Sequence, residues 1–261
     1  MWRDTVGGTF TVAAVLCVVC SVLVSAAAVG LRPRQDANKD RFRKQNILIA
    51  AGVNTEGKTV DKAFENIETQ IIDLSTGEVS IRDDIDPATY DQKKAAKDPT
   101  LSIAIEPEKD IGGIKRREKY SRVYLVKENG VIKKIILPVY GKGLWSTLYG
   151  FLALDADVNT VAGLTFYEHK ETPGLGGEVD NRAWKAKWPG KLIHDSDGQI
   201  QLEVLKGAVP EGSPNADYQV DGLTGATITS RGVSNLIRYW LSDDGFGLFL
   251  NRLKAEGGRD G

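Results

Sequence analysis

The spacing of hydrophobic positions changes character several times along the chain. From Phe10 to Leu31 there are 22 consecutive positions without a charge, mostly Val, Ala and Leu. Such a run is long enough to cross a bilayer as a helix, so residues 10–31 are expected to form a transmembrane anchor behind a short tail, 1–9. Ala26-Ala27-Ala28 would pass as a cleavage site, but the apolar run exceeds a usual signal-peptide core, which favours an uncleaved anchor. The next stretch, Gln35 to Asn46, is strongly charged and reads as a polar helix or stalk within 32–58, with a turn at Asn54–Lys58. Helical spacing then returns: Thr59 stands as an N-cap, and Val60, Phe64, Ile67, Ile71 and Leu74 keep one face for fifteen residues.

After Ser75-Thr76-Gly77 the pattern predicts a strand over Glu78–Ile85, then long connections through Asp86–Lys119, which is charged and contains Pro87, Pro99 and Pro107. From Arg122 alternation takes over. Arg122–Lys127 and Val131–Val139 read as strands joined by Glu128-Asn129-Gly130, an Asn-Gly hairpin signal. Thr147–Leu154 and Thr160–Glu168 predict a second hairpin, Asp180–Trp188 a short helix closed by Pro189-Gly190, and Ile200–Leu205 another strand. Val233, Leu236, Ile237, Trp240 and Leu241 then mark one face of a helix, with Thr229 or Ser230 as its expected cap. Phe246, Phe249, Leu250 and Leu253 mark a last amphipathic helix. The sum is an α+β fold with a largely antiparallel sheet and flanking helices, divided into an intermediate region (59–119), a main domain (120–256) and a flexible tail (257–261).

Composition narrows the function classes. Lys plus Arg number 34 against 35 Asp plus Glu, so no basic excess points to nucleic acid. Both cysteines, Cys17 and Cys20, lie inside the apolar run, and the two histidines, His169 and His194, are distant in sequence, which favours lipid-facing or helix-packing thiols over a zinc or redox pair. Arg3 precedes the anchor, whereas Arg32, Arg34, Lys39, Arg41, Arg43 and Lys44 follow it, a bias that by the positive-inside rule puts the large C-terminal part in the cytoplasm. The anchor carries no charge and no carboxylate cluster lies near it, so nothing there suggests a sodium path. No Gly-x-Gly-x-x-Gly element follows a strand.

Three segments carry candidate chemistry. Asp221-Gly222-Leu223-Thr224-Gly225-Ala226-Thr227 leads into a helix start, whose free N–H groups and positive dipole end suit a phosphate, while Gly225 and Ala226 let a ligand approach the backbone. A well-capped surface helix is the plain alternative. Gly141-Lys142-Gly143-Leu144-Trp145-Ser146-Thr147 sits between two strands and offers flat apolar surface at Leu144 and Trp145. His169-Lys170-Glu171-Thr172-Pro173-Gly174-Leu175-Gly176-Gly177 combines a tight turn with an open glycine wall, where Thr172 offers a hydrogen bond and Leu175 a packing face. His169 and Glu171 also invite an acid/base or metal reading, against the commoner role of bracing a turn.

Thr224-Gly225-Ala226-Thr227 resembles the Ser/Thr-Gly-Ala-Thr flavinylation motif of the covalent FMN-binding domains, and the three segments in this order behind one anchor resemble the C-subunit family of the bacterial sodium-translocating NADH:quinone oxidoreductases. Thr224 stands where some members carry Ser. The resemblance covers essentially the whole chain and implies FMN joined by a phosphoester to Thr227, with Asp221, Thr224, Gly225, Ala226, Leu144, Trp145, Thr147, Glu171, Thr172, Leu175 and Gly176 around it. It implies an electron relay within a sodium-pumping complex of the bacterial inner membrane, with other subunits as partners and NADH oxidised on one of them. A separate flavin transferase would install the group from FAD using a divalent metal, with Asp221 helping to position that reaction. The FMN domain would face the periplasm, against the charge bias. Three other readings stay open: the equivalent flavoprotein of a ferredoxin-linked complex, a module binding FMN noncovalently, and a structural assembly protein.

Overall fold

The computed structural model describes residues 5–53, 55–82 and 84–257. Arg3, Asn54 and positions 258–261 lie outside them, and with them parts of the expected tails and of the turn at Asn54–Lys58. The chain divides into two units, Met1–Arg43 and Lys44–Gly261.

The first unit is the greater part of one helix, α1 (Val6–Ala50), which is long and apolar enough over its first half to cross a bilayer. It runs on without a break through the charged stretch and past Pro33, ending at Ala50, well inside the segment read as stalk.

The second unit starts at the last turns of α1 and continues with α2 (Val60–Phe64), β1 (Ile67–Asp73), β2 (Glu78–Val79), α3 (Gln92–Ala95), β3 (Ser102–Ala104) and β4 (Arg116–Glu118). Four long strands follow: β5 (Tyr120–Glu128), β6 (Val131–Lys142), β7 (Thr147–Asp155) and β8 (Val161–Glu168). The remainder comprises α4 (Arg182–Lys185), β9 (Glu203–Val204), β10 (Gln219–Val220), α5 (Thr227–Leu241) and α6 (Gly247–Gly257). The main sheet is antiparallel with strand order β2-β1-β5-β6-β7-β8. β3 pairs with β4, and β9 runs parallel to β10. Asn129 (φ 53°) and Gly130 (φ 82°) both adopt the left-handed conformation that a two-residue hairpin turn needs.

Alternation along the strands divides the core into two faces. Val123, Leu125, Ile135, Leu137, Leu152 and Leu154 pack with Leu236, Ile237, Trp240 and Phe246 of the C-terminal helical segment. Tyr124, Ile136, Phe151 and Ala153 point the other way and meet Ile47, Leu48 and Ala63. The α5 helix buries the face its spacing predicted, and Trp240 donates its ring N–H to the Tyr140 carbonyl at 2.7 Å.

Four elements depart from the sequence expectation. The fifteen-residue helix from Val60 stops at Phe64, and Ile67–Asp73 is a strand paired over seven residues with β5. A spacing of four, as between Ile67 and Ile71, falls on one face in a helix and in a strand alike; the β-branched Ile-Glu-Thr-Gln-Ile-Ile sequence decides for the strand. The strand expected at Glu78–Ile85 is two residues long, and of Ile200–Leu205 only Glu203–Val204 is strand, because short lengths of β1 and β10 are all that offer pairing partners. Finally, α5 begins at Thr227 with Ala226 at the cap position and no side-chain cap bond, so neither Thr229 nor Ser230 is the N-cap.

Candidate functional site

The hydroxyls expected to cap α5 are committed elsewhere. Ser230 Oγ accepts the Leu223 amide at 3.0 Å, and the Thr229 hydroxyl donates to Glu171 Oε2 at 2.7 Å. The first helical amides, of Thr227, Ile228 and Thr229, therefore have no acceptor among the described residues, and the Thr227 hydroxyl has no hydrogen-bond partner there either. Thr227 itself is half-buried. Unpaired amides at the positive end of a fifteen-residue helix form a ready anion cradle.

Several ties hang the preceding loop in place. The Gly222 amide bonds the Gly207 carbonyl at 2.8 Å, Leu223 is buried in the core, and Trp184 donates its ring N–H to the Asp221 carbonyl at 2.8 Å. The Asp221 carboxylate pairs with Lys187 and accepts the Val209 amide at 2.7 Å; the Lys187 hydrogen bond, with the amide, holds it below the usual carboxylate range. Thr224 and Gly225 then project at an exposed tip. Gly225 has φ +71°, a conformation that strains other residues and suits glycine, and Leu175 Cδ2 lies 3.0 Å from where a Cβ would stand.

Glu171 gathers the other two segments. Its Oε1 accepts the amides of Trp145 (2.9 Å) and Ser146 (3.2 Å), and its Oε2 accepts the Leu144 amide (3.2 Å) beside the Thr229 hydroxyl. Burial alone would raise this carboxyl, but the Thr229 hydroxyl and the three amides outweigh it and hold it below the ordinary value, so it is ionised near neutral pH. Ser146 adds a further tie, its hydroxyl accepting the Lys170 amide at 2.7 Å. Held in this way, Leu144, Trp145 and Leu175 are exposed on two neighbouring loops, and Ile228 is exposed in the first turn of α5. Trp145, at 67% exposure, is an unusually open tryptophan, and apolar surface of this kind marks binding sites. A groove of about 360 Å³ lined by Gly174, Trp184, Lys187, Leu223 and Thr224 adjoins the tip.

The expected residues thus converge, with three qualifications. Glu171 is 5% exposed and turned inward, where it braces loops. Thr147 opens β7 and lines a different cleft, of about 390 Å³, with Lys93, Tyr140 and Tyr149. His169 spends both ring nitrogens locally, on Asp180 at 2.8 Å and on the Glu171 amide at 3.2 Å, so it forms no acid/base pair with the Glu171 carboxylate. Sequence reasoning missed the roles of Ser146, Thr229 and Ser230; the hydroxyls themselves were visible, their partners were not. A hydroxyl and three amides without partners among the described residues, a left-handed glycine and four exposed apolar side chains fit a phosphate-bearing ligand with a flat ring system.

The FMN-binding domain family model matches residues 143–242, a span that takes in the first segment from Gly143 onward and the whole of the other two. The chain is 51% identical over 256 residues to the C-subunit of the Na(+)-translocating NADH-quinone reductase of Pseudomonas aeruginosa, covering 97% of both chains. It is 45% identical over 253 residues to the protein of that name from Vibrio alginolyticus, covering 97% of this chain and 96% of the relative. Among solved structures, Shewanella oneidensis NqrC superposes with a TM-score of 0.76 at 37% identity, over 84% of this chain and 99% of that one.

Proposed function

The chain belongs to the NqrC family, the C-subunits of the Na(+)-translocating NADH-quinone reductases, and we propose that it carries FMN as a phosphoester on Thr227 and relays electrons through it within such a complex. The observation that carries this reading is the Thr227 hydroxyl: half-buried, first in its helix and, like the leading amides of that helix, without a hydrogen-bond partner among the described residues. Bound FMN supplies one-electron redox chemistry, which the protein tunes through contacts and burial. The chain's own residues do the rest. The amides of Thr227, Ile228 and Thr229 would hold the phosphate at the positive helix end, with the left-handed Gly225 leaving the backbone there without a side chain. Leu144, Trp145, Leu175 and Ile228 would supply apolar surface for the ring, and the exposed Thr172 a polar group at its edge.

Attachment joins the Thr227 γ-oxygen to phosphorus. With FAD as donor, a separate flavin transferase using a divalent metal would supply the chemistry, AMP being the leaving group and the hydroxyl proton going to solvent, and Asp221 would help to position the Thr227 hydroxyl. A covalent link converts a binding equilibrium into a fixed local concentration beside partner subunits, which suits an open site from which free FMN would escape. NADH is oxidised elsewhere in the complex. Residues 120–256 form the flavin-carrying part, to whose sheet 59–119 contributes β1 and, at its edge, β2, while 10–31 anchors the chain in the bacterial inner membrane and 32–58 leads away from it. The flavin domain faces the periplasm; partner subunits fix that orientation against a modest charge bias.

The test is to express the chain with its transferase, denature it in acid, and look for flavin fluorescence that migrates with the polypeptide. Fluorescence retained in wild type and lost in Thr227→Ala supports the reading. Flavin released by denaturation would replace it with noncovalent binding, and a chain that never binds flavin would leave only an assembly role.

A further inference from the structure

Glu171 is buried and ionised, yet among the described residues no Lys, Arg or His forms an ion pair with it. Buried charges are ordinarily paired, because an uncompensated one is costly. Here the charge is satisfied by dipoles from two separate elements. Three consecutive amides of the loop at the end of β6 converge on it, and so does the hydroxyl of Thr229, in the first turn of α5. Room for it is made by two motif glycines. A Cβ at Gly143 would lie 2.6 Å from Oε1; one at Gly176 would lie 2.7 Å from Oε2 and 2.6 Å from Thr229 Oγ1.

We infer that Glu171, acting through Thr229, is the positioning residue of the flavin attachment site: it locks both apolar loops to the helix turn that carries Thr227. The inference rests on the reading of Thr227 above and deepens it. A carboxylate in this role contacts no cofactor. It holds Leu144, Trp145 and Leu175 beside Thr227 before any flavin arrives, and that preorganisation is where attachment gains its rate. The glycines of the Gly-Lys-Gly-Leu-Trp and Leu-Gly-Gly segments follow from the same geometry, since they admit the carboxylate.

The experiment compares Glu171→Gln, Thr229→Val and Thr229→Ser in the full-length chain co-expressed with its transferase. Attachment should slow by about tenfold in Glu171→Gln and Thr229→Val, and stay within about twofold of wild type in Thr229→Ser, which keeps the hydroxyl donor. In a Thr227→Ala background, hydrogen exchange at the amides of 144–146 should speed by about tenfold in the first two variants and not in the third. A residue that merely stabilised the fold would lower the melting temperature without this local exchange effect or the serine rescue. Attachment and exchange at wild-type rates in Glu171→Gln and Thr229→Val overturn the inference. Should Glu171→Gln fail to fold, the Thr229 pair decides; should wild type take no flavin, the exchange readout decides alone.

Discussion

Replacing Ser230 with alanine removes the acceptor for the Leu223 amide, at a place where water cannot substitute. Leu223 is 3% exposed and Ser230 1%. The hydrogen bond is 3.0 Å long, and the donor left behind stays buried. Stranding a buried amide costs about 1–3 kcal/mol. For a unit running from Lys44 to Gly261, each kcal/mol lowers the melting temperature by about 2–4 °C, so Ser230→Ala should melt about 2–12 °C below wild type. Ser234, one turn later, provides the control. Its hydroxyl accepts the Val204 amide at 2.8 Å, also buried, and Ser234→Ala should cost a similar amount. The two variants should part company in flavin attachment. Ser230 holds the loop that presents Thr227, so its loss should slow attachment several-fold; Ser234 holds β9, and its loss should leave attachment near the wild-type rate. Thermal melts of the purified full-length chain followed by circular dichroism, with attachment timed by flavin fluorescence on gels, measure both. A Ser230→Ala protein melting within about 1 °C of wild type, or both variants slowing attachment equally, would refute this reasoning.

Glu118 is fully buried against Tyr140, Ser121 and Gln92, and burial pushes its carboxyl above the usual value of 4.5. A raised folded value means that the unfolded chain releases this proton first, so the contribution of Glu118 to stability is full below its unfolded value and declines as pH rises towards its folded one. Urea unfolding at about pH 5 and about pH 8 should therefore show a smaller loss of stability in Glu118→Gln than in wild type, and an equal loss would contradict it. Asp221→Ala breaks a partly exposed ion pair with Lys187, worth about 0–1 kcal/mol, and frees the Val209 amide. It should slow flavin attachment more than it lowers the melting temperature; a variant flavinylated as fast as wild type removes Asp221 from the reaction.

The sequence carried much of this arrangement. Charge-free length identified the apolar part of α1, alternation identified β5 to β8, and Asn129-Gly130 marked their first turn because few other pairs reach left-handed φ at both positions. The three motif segments were legible because glycines and hydroxyls cluster in them. What escaped was everything decided by partners far away in sequence. Thr229 looked like a cap because hydroxyls commonly are; it proved to bond a carboxylate 58 residues earlier. Glu171 sits in an exposed-looking loop sequence, yet turns inward because three amides wait for it. Thr147 shares a motif with Leu144 and Trp145, but a strand alternates its faces and carries it to another cleft. β1 escaped because its apolar spacing fits both periods, and only pairing with β5 resolves it.

Mass spectrometry of the proteolytic peptide containing Thr227, from protein made with its transferase, tests the central claim most directly. A peptide heavier by one FMN less one water is expected, with fragmentation placing the added mass on Thr227 and none on Thr224 or Thr229. An unmodified Thr227 in protein that nonetheless holds flavin, or the mass found on a different side chain, would contradict it.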